Sequence, residues 1–431
     1  MKTFYKLLAY ALIVATTNNF IWFALTFFSY LQTKSVITTG FVGGIYLVAT
    51  ALSGFWLGSL VDNHKKKTVM LGGSVFTLTL FAFAFILFHA SPQDAFASVS
   101  SPILWVFALL LLFGAIAGNI LNIAIPTLVT HLIPEGRRDK ANGMFGTVMG
   151  ISFALTSVAS GLVLGFLGMY WVLTFAILFT IIATFFLLAI KIPEKGIVHT
   201  VDGGSPKIDI RGTIKVMSAI PGLFALILLT TFNNFLGGVF MALMDAYGLT
   251  LVSVQVWGIL WGFLSLGFIV GGIIISKRGL GKNPLKTLFR VYIVIWITTI
   301  FFTIQPSIVL LFIGSFIWMV AFPFIEATEQ TIIQKVVPPE RQGRVFGFAQ
   351  SLEQSASPIT AFIIGPITQL FFIPFMTSGA GAELIGDWYG TGTGRGIALV
   401  FSLSGLIGLI VTLIAMRATA YKFLSKKYLE K

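Results

Sequence analysis

Three glutamates stand inside long apolar segments of the chain, where an acidic side chain is costly to bury. Glu326 and Glu329 lie in the segment 307–332, and Glu353 lies in the segment 345–374. At 1.5 Å per residue, Glu326 and Glu353 each lie roughly 12–14 Å from the same end of a helix, so they could meet in one site. Withdrawal from water and a second carboxylate nearby both favour the protonated form of a carboxylic acid. This pattern predicts reversible proton binding, with attraction of a cationic ligand as a second consequence.

A salt-bridged gate is the alternative role for these acids. Glu329 is the nearest of the three to the end of its segment, and it could pair with Arg341 or Arg344, which follow that segment. We therefore favour the gate for Glu329 and proton coupling for Glu326 and Glu353, while all three remain proton-coupling candidates.

Asparagine side chains form a second group of polar residues inside apolar segments. Two pairs of adjacent asparagines lie near the middle of the first and seventh segments, about 18 Å from the start of the first. Transporters built from repeated halves bind substrate at this depth, and aromatic neighbours suit a hydrophobic substrate. Hydrogen bonding between helices is the alternative, and it is favoured for the amides of the fourth segment. The substrate-cavity candidates are Asn18, Asn19, Trp22, Asn119, Asn122, Phe232, Asn233 and Asn234.

The composition of the chain indicates a membrane protein with several spans. Of its 431 residues, 57% are hydrophobic and 10% are charged, whereas about a quarter of the residues of a soluble domain are charged. The absence of cysteine excludes disulfides and thiolate metal sites. The sequence contains no phosphate-binding loop ending in Gly-Lys-Ser/Thr and no nucleophile–base set. We therefore expect no enzyme activity, no cofactor and no metal site, and any active transport must draw on a gradient.

Twelve segments are long and apolar enough to cross a bilayer, which takes about 20 residues. The first, from Leu7 to Leu31, is too long for the core of a signal peptide and is interpreted as a retained helix. The predicted spans are 7–31, 38–61, 69–89, 102–130, 142–166, 169–190, 220–246, 252–276, 287–304, 307–332, 345–374 and 396–416.

The basic residues alternate with these twelve spans. If the first residues are cytoplasmic, all lysines and arginines except Lys34 and Arg395 fall on the same side of the membrane. This is the positive-inside pattern of membrane proteins. It predicts that both termini are cytoplasmic. The net charge of +13 is therefore explained by the membrane topology and does not indicate binding to nucleic acid.

Short sequence matches divide the chain into two similar halves. The first span contains TTNNF at 16–20 and the seventh contains TTFNNF at 230–235, while Pro-Glu motifs begin at Pro134 and Pro339 after spans 4 and 10. Repeated six-span units are typical of secondary transporters. We predict an all-α membrane protein of twelve transmembrane helices in two pseudo-symmetric six-helix halves. The predicted domains are 1–190, a cytoplasmic linker at 191–219, and 220–431 with a basic cytoplasmic tail.

The stretch between the second and third spans carries a motif. Residues 58–70 read GSLVDNHKKKTVM, in which Gly58 allows two helices to approach closely and Asp62 precedes a run of lysines. A charged hairpin between any two spans is the alternative. The stretch resembles the signature of the major facilitator superfamily, although Asn63 and Lys65 stand where an arginine and a second glycine are usual. The matching residues are Gly58, Leu60, Asp62, Lys66 and Lys67.

This resemblance covers essentially the whole chain and implies a conformational gate. In the superfamily the signature aspartate, here Asp62, is thought to stabilise the outward-open state against the start of helix 11, where an acid is favourably placed. The gate residues that the resemblance implies are Gly58, Asp62, Lys66, Lys67, Glu340, Arg341 and Arg344.

The second half resembles the bacterial macrolide and multidrug efflux branch of the drug:proton antiporters. The resemblance lies in PGLFAL at 221–226 and QGRVFG at 342–347. Other drug antiporters have an arginine in span 4 and a Gly-Pro pair in span 5, and both are missing here. These departures put the commoner coupling scheme in doubt and fit the macrolide-type branch.

We therefore expect a secondary transporter that exports hydrophobic drugs by alternating access, coupled to protons. The implied partners are a small hydrophobic substrate, protons and the lipid bilayer, with no nucleic acid. The resemblance places a monomer in the bacterial cytoplasmic membrane. The alternatives are a lipid or lysolipid flippase, another metabolite transporter of the same fold, and a non-transporting receptor or scaffold. The short loops argue against the receptor or scaffold, because no segment is large enough for a ligand-binding or signalling domain.

Overall fold

The computed structural model describes residues 2–33, 36–193 and 210–430, and within these ranges it is built of helices joined by short turns. Twelve helical segments are long and apolar enough to cross a membrane, so the all-helical fold with twelve spans is confirmed. Most of the predicted linker, residues 194–209, lies outside the described residues, as does Lys34. The pseudo-symmetry of two halves stays a prediction.

Most spans are single uninterrupted helices that follow the apolar segments of the sequence. The α-helices are α1 Lys2–Thr33, α2 Val36–Asn63, α3 Lys66–Ala90, α4 Pro102–Gly118, α5 Ile120–Leu132, α6 Arg138–Leu167, α7 Met169–Ala189, α8 Ile210–Ala219, α9 Leu223–Leu251, α10 Val254–Arg278, α11 Pro284–Phe301, α12 Ile308–Val336, α13 Gln342–Ile367, α14 Ile373–Thr377, α15 Ala380–Tyr389, α16 Thr393–Arg417 and α17 Thr419–Glu430. The short helices α8, α15 and α17 lie outside the twelve spans.

The fourth and eleventh spans are interrupted along their length. The fourth span, Pro102–Leu132, is divided at Asn119 between α4 and α5, and α5 contains Pro126, which cannot donate to the backbone ladder. The eleventh span, Pro339–Thr377, passes from α13 through a π turn at Thr368–Phe372 into α14. Such interruptions are the usual causes of bending in a long helix.

One compact unit comprises Met1–Thr213 together with Val337–Ser351, which contains the start of α13. Its core contains a cluster of phenylalanines among aliphatic side chains and lies among α1, α3, α4 and α7. Phe28 of α1 contacts Phe88 of α3 and Phe107 of α4, with ring centroids 5.9 Å and 5.7 Å apart. Because lipid tails are as apolar as these side chains, close packing holds such helices together in a membrane.

The second compact unit comprises Ile214–Val336 and Leu352–Lys431. Part of its core joins α9, α16 and the end of α11 through aromatic side chains. Phe401 of α16 contacts Tyr247 and Phe302, with ring centroids 6.0 Å and 5.5 Å away. This cluster lies towards the end of the unit where α16 begins.

A buried arginine organises that end of the second unit. Arg395 is only 4% exposed, and its guanidinium donates hydrogen bonds to the carbonyl oxygens of Tyr389 and Ile304 and to the hydroxyl of Tyr247. Just before α16, Gly390 has a positive φ of 89° and packs against the arginine side chain.

Helix α17 is tied to the second unit by a tyrosine. The hydroxyl of Tyr421 donates a hydrogen bond to the carbonyl oxygen of Ala225 in α9, over 2.8 Å. Burial raises the pKa of Tyr421 to about 12, so the hydroxyl keeps its proton and remains a donor at physiological pH.

Candidate functional site

The three intramembrane glutamates line one cavity of the second compact unit. The cavity has a volume of about 190 Å³ and is formed by α9, α11, α12 and α13. Its polar wall carries carboxyl, amide and hydroxyl groups, and its apolar wall is aromatic. The lining residues are Thr230, Asn233, Asn234, Gly237, Tyr292, Ile295, Trp296, Trp318, Phe322, Ile325, Glu326, Glu329, Glu353 and Ser357.

The glutamates differ in exposure and in contacts. Glu326 is exposed, Glu353 is half-buried, and Glu329 is 8% exposed. The carboxyl groups of Glu329 and Glu353 are hydrogen-bonded to each other, and the hydroxyl of Thr230 contacts both. A carboxylate oxygen can only accept a hydrogen bond, so a bond between two carboxyl groups requires that one of them is protonated.

The asparagines of α9 bond to the backbone of their own helix and to neighbouring helices. Asn233 donates to the carbonyl oxygen of Leu229 over 2.7 Å and accepts a hydrogen bond of 2.9 Å from the indole nitrogen of Trp296 in α11. The side-chain amide of Asn234 donates to the carbonyl oxygen of Thr230 over 3.1 Å. The backbone carbonyl oxygen of Asn234 accepts a hydrogen bond of 2.7 Å from the Ser357 hydroxyl of α13. These bonds fix α9 against α11 and α13, while both side chains still line the cavity.

Two buried polar atoms at the cavity have no hydrogen-bond partner within the described part of the chain. They are the hydroxyl of Tyr292, a residue that is 1% exposed, and the Oε1 atom of Glu353. An unsatisfied buried polar atom is costly, and water or a polar group of a ligand would satisfy both. Together with the rings of Trp318 and Phe322, the cavity suits an apolar ligand that bears a cationic or hydrogen-bonding group.

The other amide pair lies in the first compact unit, in tighter surroundings. Asn18 packs against Gly118 and lines a pocket of about 20 Å³, which is room for roughly one water molecule. Asn19 donates a hydrogen bond to the Ser152 hydroxyl of α6 over 3.1 Å. The bond of Asn19 is of the kind that the helix-bonding alternative describes, whereas Asn18 lines its small pocket. Neither residue lines the cavity of the three glutamates.

The remaining cavity candidates do not line the cavity of the three glutamates. Trp22 stacks on Tyr46 with ring centroids 4.4 Å apart, and Asn119 is hydrogen-bonded to the same tyrosine. Asn119 lies at the break between α4 and α5, and the half-buried Asn122 follows it on α5. Phe232 stacks on Phe235 of its own helix, with centroids 6.5 Å apart, and does not line the cavity.

The motif aspartate caps a helix in the first compact unit. Asp62 accepts hydrogen bonds from the backbone N–H groups of Gly343 and Arg344, over 2.6 Å and 2.8 Å, and the Nε atom of Arg344 lies 4.0 Å from it. The negative charge therefore sits at the positive end of the α13 dipole. Arg344 also donates to the amide oxygen of Asn63 over 3.2 Å, so Asn63 takes part in the same network.

Close packing of glycines allows this contact. A Cβ atom on Gly58 would lie 2.5 Å from the carbonyl oxygen of Gly343 and 3.2 Å from the Cα of Gly347. The backbones of α2 and α13 therefore touch with no room for a side chain at either position.

Two basic residues of the motif, Lys66 and Lys67, make different contacts. Lys66 lies close enough to attract Asp62, whereas the ammonium of Lys67 donates to the carbonyl oxygens of Leu188 and Ile190, over 2.9 Å and 2.7 Å. Lys67 thus caps the end of α7, a contact that the expected inner network did not include. Glu340 and Arg341 lie in the short 3₁₀ turn before α13.

The sequence left several cavity residues unrecognised, among them Thr230, Tyr292, Trp296, Trp318 and Ser357. Hydroxyl and aromatic residues are frequent in every span, so their types carried no signal. No group of three or more His, Cys, Asp or Glu residues within the described ranges could hold a metal ion.

The family of the chain follows from its sequence. Residues 7–361 match the model of the Major Facilitator Superfamily. The chain belongs to the major facilitator superfamily. This confirms the resemblance found in the 58–70 motif. As a member of this superfamily with twelve membrane helices, the protein is a multi-pass membrane transporter of small molecules.

The chain is similar to two proteins that are named for macrolide efflux. The chain is 25% identical over 328 residues to macrolide efflux protein A of Enterococcus faecalis, covering 72% of this chain and 94% of the relative. It is 24% identical over 375 residues to macrolide efflux protein A of Streptococcus pyogenes, covering 83% of this chain and 87% of the relative.

Solved structures share the fold of this major facilitator protein. A bacterial homologue of the iron transporter ferroportin in an outward-facing state has a TM-score of 0.71 at 14% identity. The match covers 97% of this chain and 100% of that chain. The human organic anion transporter MFSD10 has a TM-score of 0.61 at 14% identity, covering 93% of this chain and 99% of that chain. These likenesses concern the fold alone.

Proposed function

We propose that this transporter exports hydrophobic drugs of the macrolide or multidrug type in exchange for protons, by alternating access. The observation that carries the proposal is the hydrogen-bonded carboxyl pair of Glu329 and Glu353, which lies beside Glu326 in a cavity with an aromatic wall. The relatedness to two proteins named macrolide efflux protein A supports the choice of substrate. The proposed setting is a monomer in the bacterial cytoplasmic membrane with both termini cytoplasmic.

The carboxyl pair supplies a means of exchanging drug for proton. When the pair holds one proton, Glu329 and Glu353 form a stable hydrogen bond. When that proton leaves, two carboxylates face each other, and their repulsion favours separation of α12 from α13. A cationic group bound near the exposed Glu326 would favour this deprotonated state, since all three acids lie around one cavity. Drug and proton therefore oppose each other's binding.

Helix α13 contains residues of both the gate and the proton site. The backbone N–H groups of Gly343 and Arg344 at its start donate to Asp62, and Glu353 lies 11 positions after Gln342 in the same helix. A shift of α13 on proton loss would strain the bonds that Asp62 makes, which gives the gate a physical link to the carboxyl pair. In this proposal the two halves, 1–190 and 220–431, rock about the linker at 191–219.

Transport in inverted membrane vesicles tests the proposal. Respiration acidifies the vesicle interior, and a panel of macrolides and lipophilic cations is then added to vesicles holding the native protein or Glu353→Gln. We expect native vesicles to lose part of the pH gradient with at least one drug and Glu353→Gln vesicles to keep it.

The matched control is Glu383→Gln, which makes the same chemical change at an exposed acid of α15 outside the spans. It should behave as the native protein. If no drug moves protons through the native protein, the proposal fails, and uptake of lysolipid becomes the assay for the alternative function.

A further inference from the structure

An apolar groove with an arginine at one end runs along the surface between α11 and α12. It has a volume of about 370 Å³ and is separate from the cavity of the three glutamates. The lining residues are Thr287, Arg290, Val291, Val294, Phe316, Ile317, Val320, Ala321 and Phe324. On α11 the groove extends from Thr287 to Val294, about 10 Å along the helix axis. That length accommodates part of one acyl chain.

Arg290 lies near the end of a membrane span, in a position from which it can reach the membrane surface. It is in the second turn of the span Pro284–Phe301 and is exposed, and a long basic side chain near a helix end extends towards the interface. Within the described part of the chain, its guanidinium has neither a hydrogen bond nor an ion pair. Its surroundings in the groove are apolar side chains and Thr287, whose hydroxyl already donates to the carbonyl oxygen of Leu280 over 2.7 Å.

The surroundings of Arg290 indicate what would neutralise it. Val294, one turn further along α11, is 50% exposed, and exposed apolar surface on a spanning helix faces lipid. Lys286, one turn before Arg290, is exposed at the start of the same helix and adds a second positive charge towards the membrane surface. A ligand that matches this pattern has a negative head at the level of Lys286 and Arg290 and an apolar chain directed towards Val294 and Phe316.

We propose that this groove is a binding site for an anionic phospholipid of the surrounding bilayer. The guanidinium of Arg290 binds the phosphate in a bidentate manner, Lys286 adds electrostatic attraction, and one acyl chain occupies the apolar groove. Basic pockets between membrane helices are a known setting for anionic lipid headgroups. The site would adapt the second compact unit to a membrane rich in anionic lipid, and it does not depend on the identity of the transported substrate.

Lipid binding to the purified full-length protein tests this proposal. Delipidated protein in a mild detergent is titrated with phosphatidylglycerol or phosphatidylcholine of the same chains, and bound lipid is counted by native mass spectrometry. We expect the native protein to bind one phosphatidylglycerol about fivefold more tightly than phosphatidylcholine, as one or two basic side chains allow. Arg290→Gln should bind the two lipids equally, and Val294→Trp, which fills the groove, should lower phosphatidylglycerol affinity at least fivefold.

Two controls separate this site from general attraction to a basic surface. Arg278→Gln removes an exposed arginine at the end of α10 that is not part of the groove, and it should keep the native preference. Glycerophosphoglycerol, the headgroup without chains, should not displace the bound lipid. The proposal is overturned if Arg290→Gln retains the preference, if Val294→Trp binds as the native protein does, or if the free headgroup competes. A melting curve for each variant verifies that the protein is folded.

Discussion

The carboxyl groups of Glu329 in α12 and Glu353 in α13 are hydrogen-bonded to each other, with the Thr230 hydroxyl of α9 in contact with both. This contact differs from the salt-bridged gate that the sequence favoured for Glu329, because its partner in the structure is another acid. A proton shared by the two acids is the centre of the proposed coupling mechanism. Glu326 is exposed on the same cavity and is free to meet a substrate.

The first prediction concerns selectivity. Glu326→Gln removes an ionisable carboxyl group from the exposed part of the cavity and leaves the Glu329–Glu353 pair in place. Export of permanently cationic drugs should fall about tenfold, since one charge–charge contact in a partly hydrated site is worth a few kcal/mol at most. Export of uncharged hydrophobic drugs should change less than threefold. Resistance and efflux assays with matched charged and neutral dyes measure the difference, and an equal loss for both classes would contradict the role of Glu326.

The second prediction concerns the gate. Asp62→Asn removes the charge at the start of α13 and one of the two acceptors for the N–H groups of Gly343 and Arg344. We expect a loss of about 1 kcal/mol of stability in the conformation seen here and a several-fold lower transport rate. Asp387→Asn, at an exposed position of α15, serves as the control. Native transport rates in Asp62→Asn vesicles would show that the cap is dispensable.

The third prediction concerns the backbone contact between α2 and α13. A Cβ atom at Gly347 would clash with the carbonyl oxygen of Gly54 and lie 3.0 Å from the Cα of Gly58, whereas no atom lies within 4 Å of a Cβ placed on Gly72. Gly347→Ala should therefore abolish or severely reduce transport by forcing the helices apart, and Gly72→Ala should be nearly neutral. Both proteins are compared for membrane expression and for transport. Equal activity of the two variants would refute the packing argument.

The fourth prediction concerns the contribution of Arg395, at the start of α16, to the stability of the second unit. Arg395→Gln removes the donors that bind Tyr389, Ile304 and Tyr247 and leaves buried oxygens unsatisfied. The cost should be about 2 kcal/mol or more, since hydrogen bonds from a charged group contribute roughly 1.5–3 kcal/mol. A thermal melt in detergent measures it. Arg417→Gln, at the exposed end of α16, should melt like the native protein, and the same melting temperature for both variants would contradict the structural role.

The sequence predicted the spans well because bilayer thickness sets the length of an apolar segment. It also singled out Glu326, Glu329 and Glu353, since an acid at membrane depth stands out by its cost. Which way each acid faces depends on the rotation of its helix, and hydropathy within an apolar span does not report rotation. The bond between Glu329 and Glu353 was therefore accessible only from the structure.

Other parts of the structure left no mark in the residue pattern. In the sequence, Tyr292 and Trp296 do not differ from the other aromatic residues of the spans. Only the fold shows that they lie beside Asn233 and the three glutamates. Lys67 looked like its neighbours in the lysine run, yet its ammonium donates to two carbonyl oxygens at the end of α7. The sequence also did not predict the break between α4 and α5 at Asn119. Asparagine is compatible with a helix, and whether the helix is interrupted there depends on packing.

Proton release on drug binding tests the central claim most directly. Purified protein in weakly buffered detergent solution near neutral pH is mixed with a drug that the native protein exports, and the released protons are counted with a pH indicator dye. Because drug and proton oppose each other's binding, we predict release of roughly one proton per bound drug from the native protein and from Glu383→Gln. Glu353→Gln should bind the drug and release essentially none. Undiminished proton release from Glu353→Gln would contradict the assignment of the coupling proton to the Glu329–Glu353 pair.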